Sequence, residues 1–184
     1  MKVRRSEELY DQDFFAWTQL QARELRRFAR TRPNVALDVK HIAEEIADLG
    51  KERRDALRSW SARILEHLLL LEHSPAKEAR RGWIDEIVNV RSEIERRLTP
   101  TLELDLKRRL PQLYDEARRN LRRKLERYGE AAIAARLPEA CPYTFDQVSA
   151  TSGPDMQTRM SAWELRSRAR SHWSPERPEE RDVE

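Results

Sequence analysis

The chain has 184 residues, 38% of them charged, with a formal net charge of +3 and a pI near 9.2. A mean hydropathy of −0.89, with only short apolar runs such as Leu68 to Leu71, excludes a membrane-spanning helix, which needs about 20 apolar residues. Cys141 is the only cysteine, so no internal disulfide can form, and a reducing cytoplasm is the expected compartment. The opening residues, Met1 to Glu8, lack the apolar stretch of a secretory signal. Leucine is abundant and glycine scarce, at 4 residues, a balance that favours helices over sheets.

After an N-terminal arm at residues 1–8, the spacing predicts a first helix from Leu9 to Arg30. Its stripe would be Tyr10, Phe14, Trp17, Gln21, Leu25 and Phe28. Thr31-Arg32-Pro33-Asn34 should end it, because proline disfavours helix in the residue before it. Asp38 is a good N-cap for a second, long helix ending near His73-Ser74-Pro75. Its apolar residues Ile42, Ile46, Leu49, Leu57, Trp60, Ile64, Leu68 and Leu71 form one stripe that should face other helices. Gly50 signals a kink or a close helix crossing. Arg53 interrupts the stripe and needs a carboxylate or carbonyl partner if partly buried.

A third helix is predicted over Arg81 to Leu98, with Trp83, Ile87, Val90, Ile94 and Leu98 inward, stopped by Thr99-Pro100. A fourth carries Leu102, Leu106, Leu110, Leu113, Tyr114, Ala117, Leu121, Leu125 and Tyr128. Pro111 should kink it or mark its true start, and Gly129 is its C-cap. An amphipathic turn over Glu130 to Leu137 follows. Thr144 then caps a last short helix, Phe145 to Val148. Thr151-Ser152-Gly153-Pro154 reads as a linker. The composition over residues 149–184 predicts a flexible charged extension, with a possible short basic helix over 156–173.

Several local motifs stand in order along this frame. They are Asp13 and Trp17 within Tyr-Asp-Gln-Asp-Phe-Phe-Ala-Trp, then His41-Ile-Ala-Glu44-Glu45-Ile-Ala-Asp-Leu-Gly50 and Leu65-Glu-His67-Leu-Leu. Trp83, Arg91, Tyr114 and Ala117-Arg118 follow, and Pro138-Glu-Ala-Cys141-Pro142-Tyr143-Thr closes the set. Together they resemble the bacterial family called domain of unknown function 29, over roughly Leu9 to Val148. The resemblance implies an all-helical bundle and no established activity, and it suggests that the motif residues are structural. The chain departs from the family pattern at Leu70-Leu71, where members commonly carry Lys-Trp, and in the basic stretch Arg118 to Arg127.

No chemical motif emerges. His41 and Glu45 are one helical turn apart, but His67 and Glu66 are some seven turns further on, so a shared metal would need other helices. Glu44 and Glu45 read more simply as ion-pair partners of nearby arginines. His67 should be a core residue bonded to a backbone carbonyl or a tyrosine. Cys141, with no neighbouring base in sequence, reads as a small buried side chain. There is no glycine-rich phosphate loop, serine elbow or zinc spacing, so neither cofactor nor enzymatic activity is expected.

Two polar features remain. Of the 36 basic residues 30 are arginine, and Arg119, Arg122 and Arg123 should point away from the core as a stripe able to meet phosphates. In the extension, Met160, Trp163 and Trp173 lie among arginines in a pattern suited to docking on a partner. The sequence therefore predicts an all-α, up-and-down helical bundle of about four main helices plus a short C-terminal helix, over residues 9–148. Its leading function is non-enzymatic interaction with another protein or with itself. Sequence-independent nucleic-acid binding through the fourth helix is the alternative.

Overall fold

Capping groups set several of the helix boundaries. The computed structural model describes residues 2–31 and 34–149, all within one unit, Met1–Thr151. In chain order its helices are α1 (Lys2–Gln12), α2 (Phe14–Ala29), α3 (Val39–His73), α4 (Arg80–Arg97), α5 (Pro100–Arg127), α6 (Ala131–Ala134) and α7 (Phe145–Ser149). The described residues contain no strand.

The first predicted helix is in fact two, and the N-terminal arm is helical from Lys2. The break falls at Asp13, whose φ of −147° and ψ of 80° leave the helical region. Its side chain accepts the Ala16 N–H at 3.0 Å, so it starts α2 as an N-cap instead of continuing α1. Asp38 does the same for α3, accepting the His41 N–H at 3.2 Å. At the other end of α5, Gly129 adopts a φ of +79°. The Glu130 N–H reaches the Leu125 carbonyl and the Gly129 N–H that of Glu126, the paired bonds of a Schellman stop. Thr144 and Gln147 bond reciprocally at the start of α7, a capping box. α5 starts at Pro100 and runs through Pro111, so Pro111 is not its origin.

α3 is the axis of the molecule, with α2, α4 and α5 all packed against it. Its C-terminal half supplies Leu57, Ile64, Leu65 and Leu69 to the main core. α4 adds Ile87, Val90 and Ile94, and α5 adds Leu102, Leu106, Leu113, Tyr114, Leu121 and Leu125. Burying each such side chain stabilises by about 1.5–3 kcal/mol. Charged pairs also bridge α3 to its neighbours. Arg58 grips Asp105 of α5 with three bonds, at 2.9, 2.8 and 2.7 Å, and Arg63 reaches Glu86 of α4 at 3.1 Å.

The N-terminal half of α3 follows a different rule. Here the buried residues are Ala43, Ala47 and Gly50, facing Thr18 and Ala22 of α2. A Cβ on Gly50 would lie 2.2 Å from Thr18 Oγ1, so Gly50 marks a close crossing. The predicted stripe is correct for Leu57 and Ile64 but not here: Ile42 is 38% and Leu49 51% exposed. On α2, likewise, Phe28 is exposed and the buried positions are Thr18 and Ala22. Small residues win because they let two backbones approach closely, and the larger neighbours are turned outward. Arg53 finds the carbonyl partner it requires, donating from Nε to the Arg97 oxygen at 3.0 Å, and its guanidinium lies 5.3 Å from the Phe14 ring centroid.

Candidate interaction surface

The motif residues gather at structural joints. Asp13 is buried, and its second oxygen accepts the Thr101 N–H at 2.8 Å, tying the start of α2 to the start of α5. Burial raises the Asp13 pKa, but the donors from Ala16, Thr101 and Thr99 outweigh it and hold the carboxyl below its ordinary value. Trp17 stacks on Phe14 and meets Tyr10 edge-on, at centroid distances of 5.7 and 4.8 Å.

A second joint holds the C-terminal segment down. Tyr114 is fully buried and donates to the Pro138 carbonyl at 2.7 Å, and burial pushes its hydroxyl up to about 12. Tyr143 packs edge-on against it, and Cys141 Sγ contacts the Tyr143 carbonyl at 3.5 Å. Burial also raises the Cys141 thiol, which suits a packed side chain better than a nucleophile. Pro142 remains exposed between them. Arg91, buried on α4, donates to the carbonyls of Gln147 and Val148 and fastens α7. Trp83, near the start of α4, is half-buried.

His67 departs from expectation. Its Nδ1 is buried and has no hydrogen-bond partner among the described residues. Burial lowers its pKa, more than the charges of Glu86 and Glu66 raise it. Glu44 and Glu45 are exposed, and neither forms an ion pair with the other described residues, including the arginines expected to meet them. Among the described residues no three His, Cys, Asp or Glu side chains gather into a metal-binding group.

The arginine stripe of α5 does project outward: Arg119, Arg122 and Arg123 are all exposed. Neighbouring groups in the chain already engage much of that face. Arg122 binds Glu126 at 2.9 Å, Arg123 binds Asn120 at 2.5 Å, and Lys124 crosses to Glu66 of α3 at 2.5 Å. Lys107 and Arg109 pair with Glu103 and Asp105. A cleft of about 350 Å³ between α3 and α5 carries mixed charge from Asp55, Arg58, Glu116 and Lys124, with no convergence of one sign. Met160, Trp163 and Trp173, with the proposed helix 156–173, lie outside the described residues.

The surface that sequence reasoning missed is on the α2–α3 hairpin. Five of the nine large exposed apolar residues among those described fall between Phe28 and Leu49: Phe28, Val35, Leu37, Ile42 and Leu49. The contact of Arg53 with Phe14 shows which sides of the two helices adjoin. Helical repeats of 3 and 4 carry those same sides along the hairpin to Leu25 and Phe28 on α2, and to Ile46, Leu49 and Ile42 on α3. These residues therefore share one face. The signal was present in the sequence as Ala43, Ala47 and Gly50, a small-residue line beside the larger apolar one.

The comparisons agree with this architecture. A crystal structure of an alpha-helical protein of unknown function from Rhodospirillum rubrum superposes with a TM-score of 0.70 at 25% identity, covering 83% of this chain and 96% of that one. No curated protein matches the chain. Among the described residues no helix is long and apolar enough to cross a membrane. The family described as Domain of unknown function DUF29 matches residues 9–152, most of the chain, and the protein belongs to that family.

Proposed function

We propose that the protein is a non-enzymatic protein-interaction module of the bacterial cytoplasm, and that its contact surface is the apolar face of the α2–α3 hairpin. The observation that carries this is the turning outward of Phe28, Ile42 and Leu49 while alanine and glycine fill the helix crossing beside them. Apolar side chains gathered on one face, next to exposed charges, have the composition of a binding surface. The motif residues support the reading from the other side, since Asp13, Arg91, Tyr114 and Tyr143 are occupied in holding the scaffold together. Nucleic-acid binding by α5 is the weaker alternative, because Arg122, Arg123 and Lys124 already have partners within the chain.

The test is affinity purification of the tagged chain from its native cells, with nuclease and at raised salt, beside an Ile42→Glu/Leu49→Glu variant. A stoichiometric protein that survives both treatments with the parent and is lost with the variant is the expected result. Nucleic acid that leaves with salt, from parent and variant alike, would replace this reading with the α5 one.

A further inference from the structure

We infer that the occupant of the hairpin face is a basic amphipathic helix presented by another protein, received on an apolar strip between two acidic borders. This rests on the interaction reading above and names the chemistry of its partner. The strip is Phe28 of α2 with Ile42 and Leu49 of α3, all exposed. Its border follows from helical spacing, since residues three or four apart stand side by side. Within the two helices and their N-caps, the charged residues at that spacing from these three are Glu24, Asp38, Glu45, Glu52 and Arg53. Asp38 is paired with His41, and Arg53 turns to the Arg97 carbonyl and the Phe14 ring. Glu24, Glu45 and Glu52 are exposed and form no ion pair with the other described residues. By the same spacing Arg23, Arg26, Arg27 and Arg30 fall on other sides of α2.

Such a border selects the charge of the partner. Anionic lipid, nucleic acid or an acidic helix would meet carboxylates that nothing compensates. A second copy of the same face would set Glu24, Glu45 and Glu52 against themselves. Arginine or lysine on the flanks of a partner helix instead finds a carboxylate on either side of the strip, Glu24 on α2 and Glu45 and Glu52 on α3. The helical shape follows from what the hairpin already holds. Gln21, seven residues before Phe28 and on the same side of α2, donates to Ser6 Oγ at 2.6 Å, and Trp17 meets Tyr10 edge-on at 4.8 Å. The two contacts place α1 antiparallel along α2, so a helix already lies on this side of the hairpin, beside the strip. Ile42 and Leu49 are seven residues apart, about 10 Å along α3, which matches apolar anchors spread over two turns of a docked helix.

The experiment is fluorescence anisotropy of two labelled peptides with the full chain at about 0.1 to 100 μM, a range that brackets micromolar affinity. Each peptide has about 18 residues, roughly five helical turns, with leucine at every third or fourth position. One carries arginine on its flanks and the other glutamate. The parent is compared with Ile42→Gln/Leu49→Gln and with Glu24→Lys/Glu45→Lys/Glu52→Lys. Glutamine removes the apolar contacts without adding charge. Far-UV circular dichroism confirms that each variant is folded, as exposed positions allow. The parent is expected to bind the arginine peptide about tenfold or more tightly than the glutamate peptide. The glutamine variant should lose about tenfold or more for the arginine peptide, and the lysine variant should reverse the preference. A parent that binds neither peptide, or both alike, overturns the inference. So does binding of the arginine peptide that either variant leaves intact. Self-association of the parent that the glutamine variant abolishes, with neither peptide bound, would put a second copy on the face instead. If neither peptide binds but the cellular complex is still lost from Ile42→Glu/Leu49→Glu, only the basic-helix chemistry is overturned. If that complex is also unchanged, the interaction reading fails with it.

Discussion

Asp13 and Thr101 stand 88 residues apart, yet the carboxylate of the first accepts the backbone N–H of the second at 2.8 Å while its other oxygen accepts that of Ala16. One side chain thus caps two helices and closes the end of the bundle where α2 and α5 begin. Each cap is worth about 1 kcal/mol, so Asp13→Ala should cost about 2 kcal/mol, read as a lowered urea midpoint with an unchanged slope. Asp13→Asn keeps an oxygen acceptor and should cost less.

The same carboxylate fixes the acid behaviour. Its folded pKa lies below its unfolded value, so its contribution is complete above the unfolded carboxylate range, near about 4, and is lost as pH falls through the folded pKa. Unfolding free energies measured between neutral pH and pH 3 should fall less steeply in Asp13→Asn than in the parent. Parallel curves would show that the bonds to Ala16 and Thr101 do not depend on the negative charge.

His67 works in a window nearer neutrality. It is a base whose folded pKa is depressed, chiefly by burial. The unfolded chain therefore binds its proton first. Stability is complete above the unfolded histidine pKa of about 6.5 and declines as pH falls from there to the folded value. Replacement by phenylalanine should flatten that part of the curve and also remove the cost of the unbonded Nδ1. Equal slopes in the two proteins between pH 7 and 5 would refute the assignment.

How much of this was legible in the sequence depended on whether the signal was local. Asp38, Gly129 and Thr144 announced helix ends because capping is decided within four residues. The stripe of α4 and the C-terminal part of the α3 stripe were legible because large apolar groups there do face the core. The exposure of Ile42 and Leu49 was not, because periodicity says only that a helix has an apolar side, and two adjoining lines, one large and one small, both qualified. What selected the small line was the approach of α2 at Thr18 and Ala22, a tertiary fact. The break at Asp13 was only partly local: its cap on Ala16 lies three residues on, but the bond from Thr101 that it also accepts lies far along the chain.

The Gly50 crossing gives a direct trial of that selection. On propensity alone, Gly50→Ala should stabilise α3 by about 1 kcal/mol. The new methyl would instead sit 2.2 Å from Thr18 Oγ1 and 3.2 Å from its Cβ, and Thr18 is fully buried with its hydroxyl bonded to the Phe15 carbonyl at 2.7 Å. The net effect should be a loss of about 1–3 kcal/mol, the range for overpacked interiors. Adding Thr18→Ala should recover most of it, since the obstructing oxygen is gone.

The C-terminal joint should fail locally before it fails globally. Tyr114→Phe leaves the Pro138 carbonyl without its donor, at a cost of about 1 kcal/mol, and Arg91→Met removes the donors to the Gln147 and Val148 carbonyls. Both substitutions leave the Leu57, Ile64 and Ile94 centre of the core untouched. Hydrogen exchange should therefore quicken across residues 137–149 in either variant while protection in the middle of α3 is retained. Uniform loss of protection along the chain would mean instead that α7 and the Pro138–Tyr143 segment fold as one cooperative unit with the bundle, and that Arg91 and Tyr114 support the whole of it.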